Sequence, residues 1–152
     1  MIPIPLKKEQ IDKVLKFAGE VKKKDYYKEE KLDRFVLGFL GEHGYANYKN
    51  IAWAPKYFRY KGDGGKDFKD IQVKTISWGG KNKELKINPS DACLSNPEVK
   101  NIVLMYVNPY KNDTAYIVGE VSVKNFLAKK SEKEYNKTTL YVLDESKLDV
   151  TY

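Results

Sequence analysis

The sequence predicts an α/β or α+β domain, with a mixed central β-sheet flanked by helices. Two amphipathic helical patterns open the chain, six short strand-like segments follow, and a further helix precedes a last strand. The chain has 152 residues, which fits one domain able to bury its own core. Hydrophobic residues make up 41% and aromatic residues 13%, so a folded chain is expected rather than a disordered one.

Two helices are predicted before residue 50. Apolar residues recur at spacings of three and four from Lys8 to about Lys23, which is typical of an amphipathic helix. A second apolar stripe predicts a helix from about Glu30 to Tyr48. Gly38 and Gly41 lie within that stripe, and glycine there costs up to about 1 kcal/mol against alanine. We therefore expect both glycines to pack closely against another element.

The rest of the chain is predicted as strands, turns and one helix. The strands share β-branched and aromatic composition, and they cover Ile51–Tyr60, the two arms of the hairpin ending near Ser77, Glu84–Ile87, Asn101–Asn108, Thr114–Val118 and Thr138–Leu143. The unbroken apolar run in Asn101–Asn108 indicates a central strand covered on both faces. Pro55 places its strand at an edge or bulge. Asn88–Glu98 is predicted as a loop with one helical turn, and Asn112-Asp113 as a turn.

The last predicted helix runs from about Val123 to Lys133. Ser122 precedes it and is a favourable N-cap residue.

The charge is basic and uneven. The formal net charge is +7, and residues 1–80 carry most of it. A basic half favours a polyanionic partner such as nucleic acid, and a solvated lysine surface is the alternative reading. Only Arg34 and Arg59 are arginine, so contact with phosphates is expected rather than the reading of bases by bidentate forks.

Cys93 is the single cysteine, which excludes an internal disulfide, a Cys-rich zinc site and a cysteine-held iron–sulfur cluster. No base and acid lie near it in sequence, so a thiol nucleophile is not expected. The sequence shows neither a signal-peptide core nor an apolar run of about 18 residues. We expect a cytoplasmic protein that binds no membrane.

A glycine-rich segment, Gly62–Ile76, is predicted as a tight hairpin followed by a strand. If Lys69-Asp70 is a two-residue turn, Asp67 lies directly opposite Gln72, with Cβ atoms about 4.5–5.5 Å apart. Lys74 is two residues beyond Gln72 and projects from the same face. A carboxylate, an amide carbonyl and an ammonium on one face are the groups of a hydrolytic magnesium site.

The register of this hairpin decides the prediction. Lys-Asp is not a favoured dipeptide for a primed turn. A slip by one residue would send Gln72 and Lys74 to the opposite face from Asp67.

Each candidate also has a structural alternative. Asp63 and Asp67 are turn formers by default, and Asp70 is the substitute ligand if the turn is placed differently. Lys74 is alternatively an ordinary strand-edge lysine. His43 follows Glu42 and would suit a proton carrier, although a lone histidine on a helix is more often packed or solvated.

Three segments resemble the PD-(D/E)XK nuclease superfamily. Gly38–Glu42 looks like the first core helix with its acid, and Asp67 with Gln72-Val73-Lys74 looks like the acid and the (Glu/Gln)-x-Lys element. The third segment comprises the run Asn101–Val107 with Ala115–Val121 and Phe126-Leu127, which is similar to the strands and closing helix after the catalytic meander. The match runs from about Lys31 to Lys130.

The resemblance implies a restriction-endonuclease-like αβββαβ core. A single nuclease-like domain would have this core at residues 30–130, a helical extension at 1–29 and a C-terminal strand extension at 131–152. Two features depart from the usual pattern. The spacing between Asp67 and Gln72 is shorter than in many members, and Gln72 replaces the commoner glutamate, which costs one negative charge and weakens metal binding.

The resemblance further implies a Mg²⁺-dependent deoxyribonuclease, specifically an endonuclease. Glu42, Asp67, Gln72 and the backbone oxygen of Val73 would hold Mg²⁺ or Mn²⁺. Lys74, with a pKa lowered by burial, would steer or deprotonate the attacking water. DNA is the expected partner, RNA is the alternative substrate, and a homodimer is consistent with relatives of this kind.

Further contacts to nucleic acid are expected from the basic residues around the hairpin, namely Lys61, Lys66, Lys81 and Lys83, and from Trp78. Trp78 would stack on a base or else cover the core. The competing function class is a non-catalytic nucleic-acid-binding or assembly protein that retains the nuclease fold.

Overall fold

The computed structural model describes residues 1–25, 29–53, 67–77, 83–108 and 111–149. Within these ranges, side chains are described outside 18–25, 29–35 and 111–112. The helices are α1 (Lys8–Asp25), α2 (Glu29–Lys49), α3 (Ala92–Ser95) and α4 (Val123–Lys129), with a 3-10 turn at Glu145–Lys147. The strands are β1 (Ile2–Pro5), β2 (Ile71–Ile76), β3 (Glu84–Ile87), β4 (Asn101–Asn108), β5 (Lys111–Ser122), β6 (Ser131–Tyr135) and β7 (Thr138–Asp144).

The predicted fold class is confirmed, because a mixed sheet lies at the centre of an α+β chain. The central sheet has four strands in the order β1-β5-β4-β2, and β2 runs parallel to β4 while the other pairs are antiparallel. β4 has a strand on each side and is buried along most of its length, as its apolar run predicts. None of the described helices is long and apolar enough to cross a membrane.

Two hydrophobic clusters lie on opposite faces of the central sheet. On one face α1 and α2 pack on residues such as Val73, Val103 and Ile117. On the other face α4 and a second sheet, in the order β3-β7-β6, pack on residues such as Ile102 and Leu104. Because side chains alternate along a strand, the odd-numbered residues of β2 face the helices and the even-numbered residues face the second sheet. Gln72 and Lys74 therefore share the face of the second sheet.

Close packing of α2 against the sheet is confirmed at one of the two predicted glycines. A Cβ on Gly41 would lie 1.9 Å from Oγ1 of Thr75, so only glycine lets the helix approach β2 this closely. Among the described residues, a Cβ on Gly38 would meet no atom within 4 Å, so they show no close packing at that glycine. Gly44, one turn from Gly41, also packs closely, because a Cβ added there would lie 2.5 Å from Cβ of Ala115.

Several element boundaries differ from the predictions. The predicted turn at Asn112-Asp113 lies inside β5, and β1 and the second sheet were not predicted. Residues 51–53 form no strand, and the rest of the predicted strand Ile51–Tyr60, including Pro55, lies outside the described residues.

The helix predicted to reach Lys133 ends at Lys129. Lys130 has extended backbone, and the residues after it form the hairpin of β6 and β7. Asn136 and Lys137 between these strands both have positive φ, of 48° and 69°, which is the signature of a primed two-residue turn.

Candidate metal centre

The hairpin at the start of β2 has the register that the sequence predicts. Phe68 and Ile71 form an antiparallel bridge and exchange backbone hydrogen bonds of 3.1 and 3.3 Å, which leaves Lys69-Asp70 as the turn. Neither turn residue has positive φ, so this is not a primed turn, in contrast to the one after β6. The backbone oxygen of Asp70 accepts from the N–H of Lys100 at 2.8 Å, which fastens the turn to the chain entering β4.

The carboxylate of Asp67 binds the outer edge of β2. Its Oδ2 accepts from the backbone N–H of Val73 at 2.7 Å and from Nε2 of Gln72 at 2.8 Å. The same Nε2 donates to the backbone oxygen of Val73 at 3.1 Å. Ile71 bonds to the Phe68 arm, and alternation along the strand points the N–H and C=O of Val73 to that same side, away from β4. A carboxylate, a side-chain amide and a backbone carbonyl thus meet at one point.

The amide of Gln72 is incompletely satisfied. The residue is only 7% exposed, and its Oε1 has no hydrogen-bond partner among the described residues. A buried acceptor without a donor costs about 1–3 kcal/mol. A half-turn of the amide would bring Oε1 to the place of Nε2, against Oδ2 of Asp67 and the oxygen of Val73. Three oxygens in such contact would repel one another unless a cation or a proton lay between them.

The spacing of the Gln72 amide from the two oxygens beside it is close to that between ligands of a small hard cation. Adjacent ligands of an octahedral Mg²⁺, each about 2.0–2.1 Å from the ion, lie about 2.9 Å apart. The amide position of Gln72 lies 2.8 Å from the Asp67 oxygen and 3.1 Å from the Val73 oxygen. Carboxylate, amide and carbonyl oxygens are also the donor types that Mg²⁺ prefers. In the part of the chain that the structure describes, no three His, Cys, Asp or Glu side chains form a metal-holding group.

Lys74 lies beside this cluster and is paired with Asp91. Its Nζ donates to Oδ2 of Asp91 at 2.6 Å. Burial lowers the pKa of Lys74, but the charge and hydrogen bond of Asp91, helped by the charge of Asp67, outweigh it, so the pKa is raised. The prediction of a lowered pKa is therefore wrong, because the sequence shows the burial of a lysine but not its partner. For Asp91 burial raises the pKa, and the Lys74 ammonium more than offsets this, so its pKa is lowered.

Cys93 is not a nucleophile in this setting. It is buried, and burial together with a hydrogen bond to Asp91 raises its pKa to about 12. A neutral buried thiol is a weak nucleophile, as the sequence predicts.

Glu42 lies on the helix that packs against the other face of β2. Its Oε2 accepts a hydrogen bond of 3.0 Å from Nε1 of Trp53. The ring of His43 stacks on Trp53 with 4.9 Å between centroids, and burial lowers the pKa of His43. His43 is therefore packed in the core, and the alternative of a proton carrier has no support in these contacts. The structure brings Asp67, Gln72 and Val73 together and places the Glu42 carboxylate on Trp53.

Only one of the predicted nucleic-acid contacts is described. Lys83 lies at the start of β3, with its Nζ 5.2 Å from the ring centroid of Tyr106. Tyr106 contacts Tyr116 on the neighbouring strand β5, with ring centroids 5.7 Å apart. The other predicted contacts lie outside the described residues, and so does Asp63. These contacts are Lys61, Lys66, Trp78 and Lys81.

Two residues of this region were not predicted. Asp91 is separated from Lys74 by 17 positions, and the only local signal for it is that of an N-cap after a turn. Trp53 was predicted as a strand residue, and nothing in its spacing indicates a bond to Glu42.

Comparisons with protein-family models, with curated proteins and with solved structures found no match. The class of the protein therefore rests on the fold and on the geometry at the edge of β2.

Proposed function

We propose that the protein is a Mg²⁺-dependent nuclease that hydrolyses phosphodiester bonds of DNA. The observation that carries the proposal is the meeting of Asp67, Gln72 and the Val73 backbone oxygen at the edge of β2, with the Lys74 ammonium on the same face. This constellation supports the resemblance to PD-(D/E)XK nucleases, in which the acid and the (Glu/Gln)-x-Lys element act together.

The ligand set best supported is Asp67, Gln72 and the backbone oxygen of Val73. When bound there, Mg²⁺ or Mn²⁺ would neutralise charge on the scissile phosphate and polarise its oxygens. Val73 donates its N–H to Asp67 and so holds that carboxylate in place without protonating it. Glu42 stays in the proposed set as a second carboxylate. Because its helix packs on the opposite face of β2 from Gln72, that role requires it to release or share its bond to Trp53 and to reach the edge of the strand.

Lys74 acts in this proposal as a cation. Paired with Asp91, it supplies positive charge beside the site where negative charge grows on the phosphorane. It also donates a hydrogen bond to the attacking water and so orients it. Because its pKa is raised, Lys74 stays protonated and does not act as the general base.

Nucleic acid suits the charge of the chain. The formal net charge is +7, with lysine far in excess of arginine, so contact with phosphates is favoured over base reading. We infer DNA as the substrate and an endonucleolytic cut from the resemblance, with RNA as the alternative. The buried single cysteine fits a reducing, cytoplasmic setting. A homodimer would place two such centres on opposite strands.

A second candidate is a non-catalytic nucleic-acid-binding or assembly protein. The observation that favours it is the pair of hydrogen bonds from Nε2 of Gln72, through which a neutral amide joins Asp67 to Val73. An amide in place of the usual glutamate would close the site by hydrogen bonds alone.

Incubation with single-stranded, nicked, branched and linear DNA, with Mg²⁺ or with EDTA, separates the two candidates. We expect Mg²⁺-dependent cleavage that Asp67→Ala abolishes and that Lys74→Ala strongly reduces, while DNA binding persists in both variants. Asp113→Asn, at an exposed position of β5, removes the same charge elsewhere, and this variant should cleave as the wild type does. Binding that is unchanged by metal, with no cleavage of any substrate, would establish the second candidate.

A further inference from the structure

The Lys74–Asp91 pair is the best-defined ion pair near the candidate site. The 2.6 Å contact joins side chains that are only 27% and 22% exposed, so both are largely shielded from water. Lys74 is the residue whose charge the proposed reaction uses, whereas no role has been assigned to Asp91.

Asp91 is held more firmly than an ordinary surface acid. Its Oδ1 accepts from the N–H of Cys93 at 2.9 Å and caps α3, so one carboxylate oxygen serves the helix and the other serves Lys74. Its own N–H donates to the backbone oxygen of Asn88 at 2.9 Å, which closes a turn before the cap. Cys93 is completely buried, so the chain that carries Asp91 is anchored in the second core cluster.

A lysine needs such an anchor to act at one point. Its four-carbon stem has many rotamers, and ordering it costs up to about 2 kcal/mol of side-chain entropy. A fixed acceptor orders the lysine side chain before the substrate binds. Misplacement of a catalytic group by about 1 Å can lower the rate on the order of a hundredfold.

We propose that Asp91 is a positioning residue that aims the Lys74 ammonium at the edge of β2 where Asp67 and Gln72 meet. The inference rests on the proposed nuclease function and assigns to Asp91 no contact with substrate or metal. Its contribution to the rate passes entirely through Lys74.

A purely structural role, as the cap of α3, is the competing explanation. Asp91→Ser separates the two, because serine caps helices about as well as aspartate but is too short to reach Lys74. Asp144→Ser is the matched control. Asp144 caps the 3-10 turn in the same way, through a 2.9 Å bond from the Ser146 N–H. It pairs with Glu84 at the start of β3, whereas Asp91 follows the end of that strand.

The experiment is a double-mutant cycle on the full chain, with kcat and KM measured for wild type, Asp91→Ser, Lys74→Met and the double variant. Asp91→Ser is expected to lower kcat on the order of ten- to a hundredfold, with KM changed by less than about threefold. In the Lys74→Met background it should lower kcat no further. Asp91→Glu should recover part of the loss, and Asp144→Ser should leave kcat unchanged.

A second readout needs neither metal nor turnover. In EDTA, ¹⁵N NMR of the lysine ammonium groups should show a slowly exchanging signal that Lys74→Met removes. Asp91→Ser should remove it too, whereas Asp144→Ser should not.

Equal losses of kcat from Asp91→Ser in both backgrounds, or a wild-type kcat in that variant, would overturn the positioning role while leaving the nuclease proposal intact. A wild-type protein that cleaves no substrate would instead remove the nuclease proposal, and the inference with it.

Discussion

Replacement of Gln72 by glutamate tests the candidate metal centre through protein stability. The substitution Gln72→Glu keeps the length of the side chain but puts a second carboxylate where the amide now lies 2.8 Å from Oδ2 of Asp67. Without a cation, two unit charges at that separation repel by about 6 kcal/mol at an effective dielectric constant of about 20. With a cation between them, the added charge strengthens binding.

Protonation limits the loss at neutral pH. An ordinary glutamate has a pKa of about 4.3, and each pH unit is worth about 1.4 kcal/mol, so holding the new carboxyl protonated at pH 7 costs about 4 kcal/mol. The free energy of unfolding should therefore fall by up to about 4 kcal/mol in EDTA. For a chain of this size that corresponds to a fall in Tm of up to about 15 °C.

Thermal unfolding followed by circular dichroism, in EDTA and in millimolar Mg²⁺, gives the comparison. Mg²⁺ at about 100 times its Kd adds about 2.7 kcal/mol of stability, so it should raise the Tm of Gln72→Glu and raise it more than that of the wild type. Gln72→Met is the control, because it removes the amide without adding charge. An equal response of both variants to Mg²⁺, or an unchanged Tm of Gln72→Glu in EDTA, would refute the assignment.

Three further predictions follow from other contacts. In denaturant titrations, Gly41→Ala should lower the free energy of unfolding by about 1–3 kcal/mol, because its Cβ would lie 1.9 Å from Oγ1 of Thr75. Gly38→Ala should instead raise it by up to about 1 kcal/mol, because no atom of the described residues lies within 4 Å of the added Cβ. Burial lowers the pKa of His43, so as the pH falls the unfolded chain binds a proton at this residue before the folded chain does. The His43 contribution to stability should be complete above about pH 6.5 and should decrease below it. His43→Phe should flatten this pH dependence in a series of Tm measurements. Lys83→Gln should reduce the slope of log binding constant against log salt by about one in DNA titrations with EDTA, and an unchanged slope would remove Lys83 from the interface.

The hairpin was predictable because its geometry follows from a few local rules. Strand parity alone places Gln72 and Lys74 on one face, and a two-residue turn at Lys69-Asp70 places Asp67 opposite Gln72. The weak turn dipeptide is compensated by contacts from outside the turn. Asp67 bonds to Val73, and the backbone of Asp70 bonds to the chain entering β4.

The features that were missed depend on contacts between distant segments. The partner of Lys74 lies 17 residues away, and hydrophobic periodicity does not register a pair of charged side chains. This is why burial alone led to the wrong direction for the pKa of Lys74. The hydrogen bond between Glu42 and Trp53 was missed for the same reason, because it depends on the path of the chain after α2.

The second sheet was missed for a different reason. β6, Ser131–Tyr135, is exposed at every residue and rich in charge, so it carries no apolar alternation and looks like the end of a helix. Its pairing depends on the turn at Asn136 and Lys137, where neither residue is glycine although both have positive φ. Lys130, in extended backbone, ends the helix before it.

Calorimetric titration of the metal-free protein with Mn²⁺ or Mg²⁺ tests the central claim most directly. The wild type should bind a divalent cation at a site that Asp67→Asn removes, since this variant keeps the shape of the side chain but loses its charge, and Asp113→Asn should bind as the wild type does. Equal binding by the wild type and Asp67→Asn would contradict a cation site at the edge of β2.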